Sequence, residues 1–391
     1  MRKQCESGYE NLSLKDVERI CDRKADKKDF LRGLEMDEIA VKANKFGGGG
    51  RSSNIELFRI LSMLMIVAHH YVVNSGLIDC IDTYVSLHFQ DYFLLLFGWG
   101  GKTGINCFVL ITGYFMCTSE ITKKKFFKLL GERYFYAVTI WCLFFFTGYE
   151  AFSVKGFMKM VFPFFTVADN FTGCFLLFYL LIPFLNKLIH ALTEKEHLLL
   201  MAWCIGVYAF LPSFAKANVV FNYVTWFSVL YVIASYIRLY PKKWFSNVTV
   251  TGLIAGVSLL LSWVSIIVLA MFSRMVGKGI GLCYFFVADS NKVFALMTGV
   301  SAFLFFKNLR IGYSRGINTI AAATFGVLCI HANSDTMRRW LWVDVCNNVG
   351  AYQGGNVIIH AVVSVAAIYT VCTIIDMVRI RLIEQPLIRR N

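Results

Sequence analysis

The sequence predicts an all-α, polytopic integral membrane protein with about ten transmembrane helices and both termini in the cytoplasm. Three observations predict it. The 391 residues are 57% hydrophobic and only 16% charged, well above the apolar share of ordinary soluble domains. The apolar residues fall in runs long enough to cross a bilayer core of about 30 Å. The basic residues gather between those runs: with the N-terminus placed inside, the inner loops and tail hold seventeen Lys/Arg, the outer loops nine, and twelve more precede the first span. That asymmetry is the positive-inside rule. The net charge of +14 is therefore topogenic, and no nucleic-acid partner is expected.

Residues 1–53, with twelve Lys/Arg, ten Asp/Glu and the run Gly47 to Gly50, are expected to form a polar cytoplasmic extension with a flexible joint. With a charged stretch of this length before the first apolar run, no signal peptide is expected. Residues 54–391 form the transmembrane domain, with spans expected near 55–74, 103–118, 133–149, 173–191, 198–214, 221–240, 249–272, 292–308, 317–335 and 355–378. Residues 89–101, short and glycine-ended, suit an interfacial or re-entrant piece. Residues 150–172 read as an interfacial aromatic segment, with Phe152, Phe157, Phe162, Phe164 and Phe165 near Lys155 and Lys159. Most of the twelve cysteines lie in apolar runs and none forms a C-x-x-C pair, so they read as reduced packing residues. Cys80 and Cys346 fall in outer loops, where a disulfide between them is chemically open.

The first span, NIELFRILSMLMIVAHHYVVN, carries the chemistry. An ionisable group inside a membrane helix costs roughly 2.5 to 3.5 kcal/mol on insertion scales, so such groups face protein and mark sites. Arg59 and His70 are eleven residues apart, which returns them to within roughly 20° of one face, about 16 Å apart along the axis. A shared chamber for both side chains is expected. His69 points about 100° away and reads as an acceptor-orienting or packing residue.

These residues resemble the membrane acyltransferase-3 family of bacterial O-acyltransferases. The resemblance rests on the first span, NCFVLITGYFM at 106–116, the basic loop KKKFFK at 123–128, FLLFYLLIPFLNKLIHALTEKE at 175–196 and TFGVLCIH at 324–331. The family's arginine, ten residues and histidine match Arg59 and His70, and its accompanying glutamate matches Glu56. The resemblance implies transfer of an acyl group, commonly acetyl from acetyl-CoA arriving from the cytoplasm, to a hydroxyl of a cell-surface or lipid-linked saccharide at the cytoplasmic membrane. An imidazole with an unperturbed pKa near 6.5 suits proton abstraction from a sugar hydroxyl, which makes His70 the candidate general base. Arg59, held by Glu56, is the candidate phosphate-binding group for CoA. Lys124, Lys125 and Lys128, with Lys123, add positive charge at the same end. Where the family offers Arg-x-x-Arg this chain has Lys125 and Lys128, which supply charge without the guanidinium fork. Thr112-Gly113-Tyr114 stands for the family's Ser-Gly-Tyr, with Gly113 permitting close helix approach and Tyr114 a polar handle. His331 is a second intramembrane histidine in reach of the same cavity.

Other motifs fail. Gly101-Lys102-Thr103 ends like a phosphate loop, but Leu96 occupies the position of the required glycine. His69-His70 lacks the i, i+4 spacing of a zinc-binding helix, and no metal is expected. A membrane carrier or a non-catalytic sensor domain shares the ten-span pattern with buried polar residues. Against the carrier stand the lack of an internal repeat and the few acidic residues inside spans. The chain runs only about a dozen residues past the last span, so the membrane domain is expected to complete the transfer itself.

Overall fold

The computed structural model describes residues 51–83, 86–162, 171–215, 219 and 222–386. The expected extension lies outside them except for its last three residues, as do Phe164 and Phe165. Among the described residues the regular structure is helix, with no strand. Helix α1 (Ser53–Val73) is followed by α2 (Phe89–Gly98), α3 (Gly101–Met116), α4 (Lys123–Phe146) and the short α5 (Val154–Val161). Then come α6 (Phe171–Ala191), α7 (Glu194–Ile205, continued to Ala215 in wider turns), α8 (Tyr223–Leu239), α9 (Val248–Val276) and α10 (Val293–Asn308). Helices α11 (Arg315–Ala322), α12 (Thr324–His331), α13 (Asp335–Arg339) and α14 (Val357–Arg379) complete the bundle.

Side-chain caps set several starts. The Thr122 hydroxyl accepts from the Lys125 amide at 3.3 Å, Thr193 and Glu196 form a reciprocal capping box, and the Asn222 and Asn247 carboxamides accept first-turn amides of α8 and α9 at 3.0 Å. Each satisfies an amide that the helix itself leaves without a partner. Lys123 to Lys128 therefore form the first turns of α4, not the basic loop the sequence suggests.

Every expected span falls on a helix. Among the described residues seven helices are long and apolar enough to cross a membrane, and an eighth arises if the bent pair Arg315–His331 and Asp335–Gln353 counts as one. Tyr223–Leu239 and Val293–Asn308 are shorter apolar helices. Two expectations change. Residues 89–101 are not a separate interfacial piece: α2 and α3 together make one apolar run of 28 residues, Phe89–Met116. The span expected at 317–335 is broken, turning by 96° after His331. Cys80 and Cys346 are free thiols.

Helix α3 is central, packing on α1, α8 and α10, and small residues let it approach. A Cβ on Gly104 would sit 2.7 Å from the Ser62 carbonyl oxygen of α1, and one on Gly113 would sit 2.9 Å from Ala234 Cβ of α8. Backbones in such contact gain dispersion where lipid provides no hydrophobic drive. Helix α8 is buried along nearly its whole length, from Trp226 to Leu239.

A buried ion network joins α4 to α14. Arg379 pairs with Asp376 at 2.7 Å, Glu132 at 3.0 Å and Glu384 at 3.2 Å, while Lys128 pairs with Glu384 at 2.5 Å. The Tyr136 hydroxyl donates to Asp376 at 2.8 Å. Arg379→Leu would leave Glu132 and Asp376 as uncompensated buried charges, and should cost about 3 to 5 kcal/mol, read as a lowered thermal unfolding midpoint in detergent. Lys128→Gln, at an exposed side chain, should change stability by less than about 1 kcal/mol.

Candidate active site

His70 lies in the last turn of α1, partly buried, where it lines a cavity of about 920 Å³. The cavity lies at the end of the bundle where α1 and α4 finish and α6 and α8 begin. Its walls come from the α2–α3 junction, the far half of α4, the segment 150–160, the loop 280–288 and the break after α12.

Three histidines meet at its floor. His70 Nδ1 lies 3.0 Å from His331 Nε2, and His331 Nδ1 lies 2.6 Å from the Val327 carbonyl oxygen one turn earlier. A carbonyl only accepts, so His331 carries its proton on Nδ1. For the neutral pair one arrangement remains: His331 Nε2 accepts from His70 Nδ1–H, and His70 Nε2 holds a free lone pair. That nitrogen has no partner among the described residues. His331 is fully buried and acts on the cavity through His70. When His70 takes up a proton, its bond to His331 becomes charge-assisted and strengthens.

His69 also lines the cavity, and its Nδ1 donates to the Gly98 carbonyl at 2.6 Å. The close approach of α3 makes this possible, since a Cβ on Gly101 would lie 2.2 Å from His69 Cγ. The glycines of FGWGG thus seat the first histidine.

The other expected residues lie elsewhere. Arg59 forms an ion pair with the buried Glu56 at 3.2 Å, as the spacing predicts, but neither lines the cavity of His70. The shared chamber expected from the common helix face is therefore not this cavity: eleven residues of helix separate the two depths, about 16 Å. Tyr114 is buried beside Gly113, accepts from Arg238 Nη1 at 3.0 Å and carries the Arg238 guanidinium 4.9 Å and Lys307 Nζ 5.9 Å from its ring centroid. Lys124 and Lys125 are exposed in the first turn of α4, and Lys128 pairs with Glu384; none of the three reaches the cavity. Among the described residues no group of three or more His, Cys, Asp and Glu is placed to hold a metal.

The cavity is also lined by Trp99, Lys102, Arg133, Trp141, Lys155 and Arg338. Lys102 Nζ donates to the Tyr223 hydroxyl at 2.9 Å and stands 3.7 Å from Asp289. Arg133 could have been found by the rule that singles out Arg59, an ionisable group within an apolar helix. It is tallied instead among the loop cations, because α4 begins ten residues earlier than its hydropathy suggests.

A bundle of apolar helices around a chamber lined by two histidines, one of them hydrogen-bonded to a third behind it, defines a polytopic membrane protein. The acyltransferase-3 family model, described as an acyltransferase domain, matches residues 52–377. The chain belongs to this family and is a membrane acyltransferase. No curated protein and no solved structure matches it.

Two substitutions test the floor of the cavity. Gly101→Ala should displace His69 and, through the shared end of α1, misplace His70, lowering acyl transfer about 10²-fold while the protein still expresses. His331→Ala should lower kcat by about 10²-fold or more with little change in KM, because the orienting acceptor of His70 is lost. His331→Gln, whose amide oxygen can accept the same proton, should retain more activity than His331→Ala.

Proposed function

We propose that the protein transfers an acetyl group from acetyl-CoA to a hydroxyl of a cell-surface or lipid-linked saccharide at the cytoplasmic membrane. The observation that carries this reading is the His70–His331 pair, which leaves a lone pair on His70 Nε2 at a cavity large enough for a sugar. His70 Nε2 accepts the hydroxyl proton as the oxygen attacks the thioester carbonyl. The tetrahedral intermediate collapses, the carbon–sulfur bond breaks, and the CoA thiolate takes the proton back from His70. The products are the ester and CoA with its thiol protonated. His331 holds the imidazole in the receptive tautomer, and His69, fixed by Gly98, borders the acceptor.

The donor enters from the opposite end. With the N-terminus inside, the Glu56–Arg59 end of α1 is cytoplasmic and the cavity mouth extracytoplasmic, so the extended pantetheine arm of CoA would run along α1 from Arg59 towards His70. Arg59, with Lys124, Lys125 and Lys128 nearer the membrane surface, supplies positive charge for the CoA phosphates. Tyr114, through Arg238, borders the same end. The buried carboxylates Glu132 and Asp376 are engaged by Arg379.

Purified protein given radiolabelled acetyl-CoA and a hydroxyl acceptor tests the reading. His70→Ala should reduce acetyl transfer at least 10²-fold, and Arg59→Lys should raise KM for acetyl-CoA about tenfold by replacing a fork with a point charge. Transfer at the parental rate by the His70→Ala protein would refute the base, and unchanged donor KM after Arg59→Lys would refute the anchor.

A further inference from the structure

Arg133 is 8% exposed and forms part of the wall of the His70 cavity. Its Nη1 donates to the Met160 carbonyl at 2.8 Å. No carboxylate pairs with it among the described residues: its neighbour Glu132 is engaged by Arg379. Of the five N–H donors of a guanidinium, most are thus left for something else. A buried cation without a counter-charge is unfavourable, and an anionic ligand would supply that charge.

Two more cations face the same space. Lys155 and Lys159 are four residues apart on α5, which places them side by side, and both line the cavity. The exposed apolar residues Val154, Phe157 and Met158 take the other side of that helix. The end of α5 is fastened over α4 by Arg133 on Met160 and by the Tyr134 hydroxyl on the Val161 carbonyl at 2.6 Å. Neither lysine is in an ion pair among the described residues. The remaining wall cations are answered: Arg338 pairs with Asp335, and Lys102 with Asp289 and Tyr223. Among the described residues, Glu150 is the one wall carboxylate left against Arg133, Lys155 and Lys159.

We propose that the acceptor entering this cavity is anionic, a saccharide bearing a phosphate or carboxylate, held by Arg133 with Lys155 and Lys159. The guanidinium fork matches two oxygens of either group, and the lysines at the mouth draw the anion in. Assigning the anion to the acceptor, and not to the phosphates of CoA, rests on the donor path proposed above, because the cavity opens at the end opposite Arg59.

Binding, which needs no turnover, tests this. Full-length protein in uncharged detergent would be titrated with glucose 1-phosphate, glucuronate, methyl glucoside and acetyl-CoA, reading the tryptophan fluorescence to which Trp99 and Trp141 on the wall contribute. Glucose 1-phosphate or glucuronate should bind at least tenfold more tightly than methyl glucoside. Arg133→Gln, and separately the surface pair Lys155→Gln with Lys159→Gln, should erase that preference while acetyl-CoA affinity stays unchanged. Equal affinity for anionic and neutral sugars in the parent protein, or a loss confined to acetyl-CoA in the variants, would overturn the proposal. The same titration of His70→Ala protein should keep the preference, so that failure of the base and failure of the anion site are read separately.

Discussion

The hydrogen bond between His70 and His331 joins the first membrane helix to the broken one late in the chain, and the site depends on it. Neither ring is held by its own helix alone. His331 terminates α12, where the chain turns by 96°, and its Nδ1 is committed to the carbonyl of Val327 in the preceding turn. That backbone contact fixes which nitrogen of His331 can accept, hence which nitrogen of His70 donates, hence which one is left with a free lone pair. One carbonyl oxygen at the end of a short helix thus sets the protonation geometry of a residue 257 positions earlier in the sequence, Val327 acting on His70. In a site sheltered from water such a chain of bonds is stiffer than either contact alone.

The packing that makes this possible is done by small residues. Gly101 and Gly104 bring α3 against α1 so closely that the His69 ring and the Ser62 carbonyl occupy the places where side chains would stand. The histidine-bearing end of α1 is therefore set by backbone contact and not by flexible side chains. On the far side, the network around Arg379 ties α4 to α14, and α4 presents Arg133 to the cavity one residue after Glu132. The adjacent charges serve different ends: the glutamate closes a structural network, while the arginine is turned towards a space that a ligand can fill.

The two halves of α1 also divide the work. Glu56 and Arg59 form a pair at one depth, His69 and His70 line the cavity at another, and the helix between them is packed against α3 with residues such as Met63, Ile66 and Val67 fully or almost fully buried. In the reaction we propose, this separation lets a charged donor and a polar acceptor approach from opposite ends and meet only at the reacting atoms. Cations stand at both depths, Arg59 at one and Lys102 and Arg133 on the cavity wall beside the histidines at the other.

Composition, apolar runs and the distribution of lysine and arginine determined the all-helical membrane class and the position of nearly every helix, because insertion into lipid is governed by the local sequence of each segment. The same local logic picked out Arg59, His70 and the i, i+3 pair of Glu56 with Arg59, contacts that a single helix makes on its own. It took FGWGG as the end of a separate interfacial piece, whereas α2 and α3 meet there within one apolar run and its glycines pack on α1, and it tallied Arg133 as a loop cation. What only the tertiary structure decided is which distant groups meet: that His331 reaches His70, that Arg59 does not line the cavity of His70, and that Arg133, Lys155 and Lys159 converge on it. Such meetings depend on how helices rotate and approach one another. That is set by close packing between residues hundreds of positions apart and leaves no trace in the periodicity of any one of them.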